Sequence, residues 1–282
     1  MVVDAGAAAG AADAGPAVFE IVVANVEGAV EVQRGKGAWE KVSAGARLHA
    51  DDAVRTLPGG SVELQAAGAV VRLNESTDVR VAELTEGLTR YLLGRGFVAA
   101  DAHDDKKRGK VLQVDVDGSD VAVKAADARF SMTSNGEGTV AVAAKDGDVR
   151  VASRGKEVVL HRGQRTLVLP EKPPSDPAPL ATSLLLKVAW PTEHETNHKV
   201  VTVAGRTEAG ALVFAMGRPQ KVDADGRFRA QVSLSEGANT LDVVAVDASG
   251  NLAKAGGQHV VVDTRGAASH FKTDDLWKSP PK

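Results

Sequence analysis

Residues 27–81 read EGAVEVQRGKGAWEKVSAGARLHADDAVRTLPGGSVELQAAGAVVRLNESTDVRV. Apolar residues alternate in short pairs: Val30 with Val32, Val62 with Leu64, Val71 with Leu73, Val79 with Val81. A period of two is that of a half-buried strand, because successive side chains point to opposite faces. Gly35, Gly37, Gly45, Asp51-Asp52, Pro58-Gly59-Gly60 and Asn74 fall between the pairs, where turns need them. The stretch therefore predicts an all-β domain of short strands.

The same punctuation runs outward on both sides. Strands are expected at 18–23, 111–116, 121–125, 130–133, 138–143, 149–152, 157–160 and 166–169. The polar tract after Leu93, with Asp101, Asp104 and Lys106-Lys107-Arg108, reads as a solvated loop. Gly28-Ala-Val-Glu-Val32 is echoed by Gly147-Asp-Val-Arg-Val151, each followed by another glycine, Gly45 and Gly163. That pairing raises a duplicated strand–turn–strand unit against coincidence in a chain rich in Val and Gly. Residues 170–179, PEKPPSDPAP, hold five prolines. Proline gives no ladder donor and favours extended backbone, so 171–182 is expected to be a semi-rigid linker. Beyond it, six further strands between 184 and 262 are joined by Asp-Gly and Asn-bearing turns, which fits a small immunoglobulin-like sandwich. The domain plan is a 1–17 Ala/Gly-rich tether, a first β-domain over 18–170, the linker, a second β-domain over 183–264 and a flexible tail over 265–282.

Composition narrows the function classes. Among 282 residues the formal net charge is -3 and aromatics are 4%. Such a balance implies no nucleic-acid partner. The absence of cysteine removes disulfides, thiolate metal sites and a cysteine nucleophile. No apolar run approaches the roughly 18 residues of a membrane span. The low-complexity start is expected to be the beginning of a mature exported chain whose signal or lipid anchor lies upstream.

Several strings could carry chemistry. His194-Glu195-Thr-Asn-His198 matches H-E-x-x-H, which needs both histidines on one helical face. Here it lies between Pro191 and the strand at Val200, with no room for an amphipathic helix, and reads as a polar loop. Gly94-Arg-Gly96-Phe-Val-Ala99 matches a dinucleotide fingerprint but is followed by carboxylates, not a helix, and reads as a turn. Asp223-Ala-Asp225-Gly226 and Asp247-Ala-Ser-Gly250-Asn251 offer oxygens but lack a closing glutamate, and read as turns. No catalytic residue, metal ligand or cofactor is expected. The candidate ligand-binding residues are Trp39 and Trp190, as stacking platforms for sugars. Phe271 and Trp277 are candidate anchors of a docking tail.

Gly28-Ala-Val-Glu-Val32, Trp39, Gly45, Leu48, Asp52, Val54-Arg55-Thr56, Val62-Glu-Leu64, Val71-Arg-Leu73, Phe130, Gly147-Asp-Val-Arg-Val151 and Gly163-Gln164 together resemble the FecR-type domain of bacterial cell-envelope proteins. One departure is Asp51, where the family usually has Gly beside the aspartate. The resemblance implies an all-β periplasmic domain, either β-helix-like or a sandwich. Its namesakes relay signals from outer-membrane receptors to a sigma factor through a membrane span and cytoplasmic helices, which are not read here. Val203-Ala-Gly205-Arg-Thr207, Val222-Asp223-Ala-Asp225-Gly226-Arg-Phe228 and Ala245-Val-Asp247 resemble bacterial immunoglobulin-like modules, which act as spacers or adhesion units. The expected protein is a non-enzymatic, periplasmic or envelope-associated module engaging an envelope protein or a cell-wall polysaccharide. The alternative is a regulatory sensor.

Overall fold

A computed structural model describes residues 19–66, 68–103 and 109–264. In the first domain the chain runs through β1 (Ile21–Glu27), β2 (Val30–Gln33), β3 (Trp39–Lys41), β4 (Arg47–Leu48), β5 (Ala53–Thr56), β6 (Ser61–Ala66), β7 (Ala69–Leu73), β8 (Asp78–Leu84) and β9 (Leu88–Ala102). It continues through β10 (Val111–Val116), β11 (Ala122–Ala125), β12 (Ala128–Ser134), β13 (Val140–Gly147), β14 (Val149–Ser153), β15 (Lys156–Leu160), β16 (Gln164–Val168) and β17 (Ala178–Pro179). All the described elements are strands. No helix among the described residues is long and apolar enough to cross a membrane.

These strands form two sheets facing one core, so the first domain is a sandwich. One sheet has the order β4-β1-β6-β7-β9-β12-β13-β16-β17, the other β3-β2-β5-β8-β9-β10-β11-β14-β15. The strand β9 belongs to both. Its first half pairs with β8 and, in parallel, with β10; its second half pairs with β7 and β12. This corrects the solvated loop expected after Leu93 as far as Ala102, where the strand ends; Asp104 and Lys106-Lys107-Arg108 fall outside the described residues. The bend lies at Gly94–Gly96. Gly96 has a φ of 112°, and a Cβ there would lie 2.5 Å from the Cα of Thr77. Only glycine lets the β7–β8 turn approach so closely. The apparent dinucleotide fingerprint is this bend.

The period-two pattern becomes the core directly. Ile21, Val23, Leu64, Leu73, Phe130 and Met132 point inward from the first sheet, and Val54, Leu93, Val114, Val151 and Leu160 from the second. The two echoed segments follow one path. Each starts in the first sheet, crosses at a glycine with φ of 66° (Gly28, Gly147), makes a hairpin in the second sheet and returns to pair with its starting strand. The Gly45 N–H meets the Val23 carbonyl at 2.8 Å, and the Gly163 N–H meets that of Ala144 at 2.9 Å.

Asp52 ties this domain's β2–β5 corner. Its buried carboxylate accepts from the Arg34 guanidinium at 2.6 Å and from the N–H groups of His49 at 3.0 Å and Gly35 at 3.2 Å. Burial alone would raise its pKa, but the His49 N–H, the Arg34 guanidinium and the Gly35 N–H together hold it below the ordinary carboxylate range. The neighbouring Asp51 has φ of 71°. It occupies the left-handed position that glycine fills most readily, at the place where the FecR resemblance departs from its usual residue.

The second domain holds β18 (Leu186–Ala189), β19 (Glu195–Thr196), β20 (Val200–Thr207), β21 (Leu212–Ala215), β22 (Arg218–Gln220), β23 (Arg227–Ser233), β24 (Gly237–Val246) and β25 (Leu252–Val262). Two sheets, β18-β20-β23 and β19-β25-β24-β21-β22, close on Val203, Val213, Phe228, Leu241, Val243 and Val260.

Two outcomes test these assignments. The Tyr91 hydroxyl is buried with no hydrogen-bond partner among the described residues, and burial pushes its pKa up. Removing an unpaired buried hydroxyl relieves its desolvation, so Tyr91→Phe should gain about 1 kcal/mol in urea unfolding; a loss of that size would reveal a bound partner. Asp52→Asn should cost about 2 kcal/mol at neutral pH, as expected for charge-assisted bonds. Because the folded pKa is depressed, Asp52's contribution is present above the ordinary value of about 3.9 and is lost as pH falls through the folded value. The gap between wild type and variant should therefore close in acid.

Candidate functional site

The outer face of the first sheet carries an uncharged patch set by strand register. Phe97, Thr133, Ala141 and Leu167 form one cross-strand row, and Ala99, Ser131 and Ala143 form the next. Ser131, Thr133 and Ala143 are fully buried although none of them belongs to the first core. What covers them is the second domain.

The joint is polar and specific. The Ser131 hydroxyl donates to the Ala248 carbonyl at 2.5 Å, and the Thr133 hydroxyl donates to that of Gly210 at 2.6 Å. The Asn135 amide donates to the Val222 carbonyl at 3.1 Å. Arg165 pairs with Glu208 at 2.9 Å, and Lys221 pairs with Glu137. Gly210 lies so close that a Cβ would be 2.8 Å from that of Ala141. The segment 171–182 joins the domains without standing off from them. Ser175 N–H bonds the Leu167 carbonyl at 2.9 Å, β17 pairs with β16, and the Ala181 carbonyl receives the Asn251 amide at 2.8 Å. Pro179 has no ladder donor to lose and sits on a sheet edge, where proline is tolerated.

Two clefts flank the joint. The larger, about 580 Å³, lies among Arg165, Leu167, Ser175, Leu185, Arg206 and Asp225. The smaller, about 190 Å³, lies among Ser76, Arg95 and Asn135 of the first domain and Phe214, Pro219 and Gln220 of the second. Arg95 sits at the β9 bend, with its stem against Gly136 and its guanidinium 3.5 Å from Asp78. Burial raises the Asp78 carboxyl pKa, and Arg95 opposes that shift. Ser76 is 8% exposed, has φ of 55°, and its hydroxyl has no partner among the described residues.

The residues singled out from sequence lie elsewhere. Trp39 is half-buried on the edge strand β3, and the Arg55 guanidinium covers one face of its ring at 4.2 Å. Glu31 holds that guanidinium at 2.6 Å. Trp190 packs against the second core. Neither tryptophan lines a junction cleft. Phe271 and Trp277 fall outside the described residues. In the H-E-x-x-H string, Glu195 lies in β19, extended and paired with β25. The string holds no helical turn, so His194 and His198 do not share a helical face as H-E-x-x-H chemistry requires. The Asp223 carboxylate accepts from the N–H groups of Asp225 and Arg227, and that of Asp247 accepts from Asn251, which closes both turns internally. Asn135 and Gln220 carried no motif, and Ser76 only closes the formal N-x-S string Asn74-Glu-Ser76, which points to no cleft. The available signal was the uncharged outward pattern of Ser131, Thr133, Ala141 and Ala143, which marks a covered sheet face.

Residues 185–263 match the family model described as glucodextranase, domain B. No curated protein matches the chain. Among solved structures, a candidate anti-sigma factor from Parabacteroides distasonis is similar at 20% identity and a TM-score of 0.36, over 41% of this chain and 53% of that one. The chain thus spans about half the length of that structure. A polysaccharide lyase is similar at 10% identity and a TM-score of 0.22, over 87% of this chain and 40% of that one. The chain is an all-β protein with an immunoglobulin-like second domain.

The joint has a direct test. Thr133→Arg places a long charged side chain against Gly210. ¹⁵N relaxation of the wild type should give one rotational correlation time for both domains. The variant should give two shorter ones, with both sandwiches still folded.

Proposed function

We propose that this protein is a non-enzymatic module of the bacterial cell envelope, in which a FecR-like domain and the immunoglobulin-like domain meet a cell-wall polysaccharide as one rigid body. The observation that carries this reading is the hydrogen-bonded joint through Ser131 and Thr133. A flexible spacer has no use for buried hydroxyls aimed at carbonyls across a domain boundary. A binding surface shared between two domains does, because ordering it beforehand removes an entropic cost of association. Ligand clefts form preferentially at domain interfaces. The match of residues 185–263 to a domain of a glucan-degrading enzyme adds support for a carbohydrate setting. The exposed face of the second sheet suits a solvated position. It is laddered with opposite charges, Glu31 with Arg55 at 2.6 Å and Arg90 with Asp115 at 2.7 Å.

The full 282-residue chain should be retained on purified peptidoglycan or envelope polysaccharide in a co-sedimentation assay. Thr133→Arg should lose most of that retention. Capture of a single envelope protein, with no retention on any polymer, would overturn the polysaccharide reading in favour of a protein scaffold or sensor.

A further inference from the structure

The smaller junction cleft is built around a residue that stability alone does not explain. Ser76 combines a left-handed backbone with a hydroxyl that is buried and unpaired. Each feature costs free energy, and such costs concentrate at functional positions. The turn that carries it is tightly held. The Thr77 N–H bonds the Thr56 hydroxyl at 2.9 Å, the Phe97 N–H bonds the Thr77 hydroxyl at 3.0 Å, and the Glu75 carboxylate receives the Gly59 N–H at 2.8 Å. Ser76 is thus fixed in place.

The surroundings select a ligand class. Arg95 is matched by Asp78, and Lys221 by Glu137, so the charges at the cleft cancel in pairs. A phosphate or carboxylate finds no net attraction there, while a neutral molecule with many hydroxyls finds both donors and acceptors. Pro219 and Phe214 supply an apolar wall on the side of the second domain. At about 190 Å³ the cleft is below the roughly 300 Å³ that marks the smallest drug-sized sites. One ring with an apolar C–H face and a hydroxylated edge suits it.

We propose that this cleft binds a single neutral pyranose, the end residue of a glycan, with the Ser76 hydroxyl completing its hydrogen bonding on one ring hydroxyl. This deepens the polysaccharide reading above and rests on it for the source of the glycan. The interdomain joint sets the width of the cleft, because its two walls come from different domains.

The test is a ¹⁵N-detected titration of the full chain with the methyl glycosides of glucose and N-acetylglucosamine, and with glucuronate and N-acetylmuramate as charged counterparts. A neutral glycoside should shift the amides of Ser76, Gly96 and Gln220, and the charged sugars should not shift them at equal concentration. Ser76→Gly removes the hydroxyl and suits the positive φ. Its thermal midpoint should be unchanged or higher while affinity falls about tenfold, the loss of one good hydrogen bond. Gln220→Trp, which fills the cleft, should abolish the shifts. The proposal is overturned by shifts confined to Trp39 or Trp190, by the absence of any response to the neutral glycosides, or by full affinity in Ser76→Gly. Polymer retention that survives Gln220→Trp would remove this cleft as the site and leave the envelope-module reading standing. A wild-type chain that binds the glycosides but is not retained on polymer would do the reverse.

Discussion

The contact between Gly96 and the Thr77 turn governs both the fold and the candidate site. At Gly96 the strand β9 leaves one sheet and enters the other, and the space for its Cβ is filled by Thr77. The continuous strand fixes the two sheets relative to each other without a loop between them. The same contact brings Ser76, the residue before Thr77, beside Arg95, the residue before Gly96. A larger residue at Gly96 would push the turn away and move Ser76 from Arg95 on the first domain's side of the cleft.

The domain joint follows a second constraint, that buried polar groups must be paired. Ser131 and Thr133 use small hydroxyls to reach carbonyls at Ala248 and Gly210, in turns whose backbone would otherwise lie under a sheet face with nothing to bond. Small side chains permit the close approach, and the hydrogen bonds make the approach specific. The ion pairs Arg165–Glu208 and Lys221–Glu137 lie further out, where they are partly to largely exposed and contribute little stability. They add orientation. The result places two clefts at the margins of a dry centre.

Most strands were legible because the period of two survives wherever one face is buried and the other is wet. Val111–Val116, Val149–Ser153 and Val200–Thr207 lie where alternation puts them. The pattern failed at β9, where Gly94, Gly96 and Asp101 break the alternation. Glycine there serves a close backbone approach, which reads as a turn when the neighbour is unseen. At Pro170–Pro179 composition reported backbone stiffness but not that the stiff segment lies against β16. The tryptophans drew attention by their size, yet Trp39 lies under Arg55 and Trp190 packs on a core. The cleft residues Ser76, Asn135 and Gln220 are ordinary polar residues in turns and edge strands, and nothing local marks them as the lining of a cleft.

Local pattern was enough for the all-β class, the turn glycines and most of the core's apolar residues, since these depend on periodicity and on φ preferences of single residues. The sharing of β9 between sheets, the covering of Ser131 and Thr133, and the meeting of Ser76 with Gln220 needed the folded molecule. Ser76 and Gln220 are separated by about half of the chain and by a domain boundary. Their proximity comes from register and docking, which are long-range properties that no window of alternating residues contains.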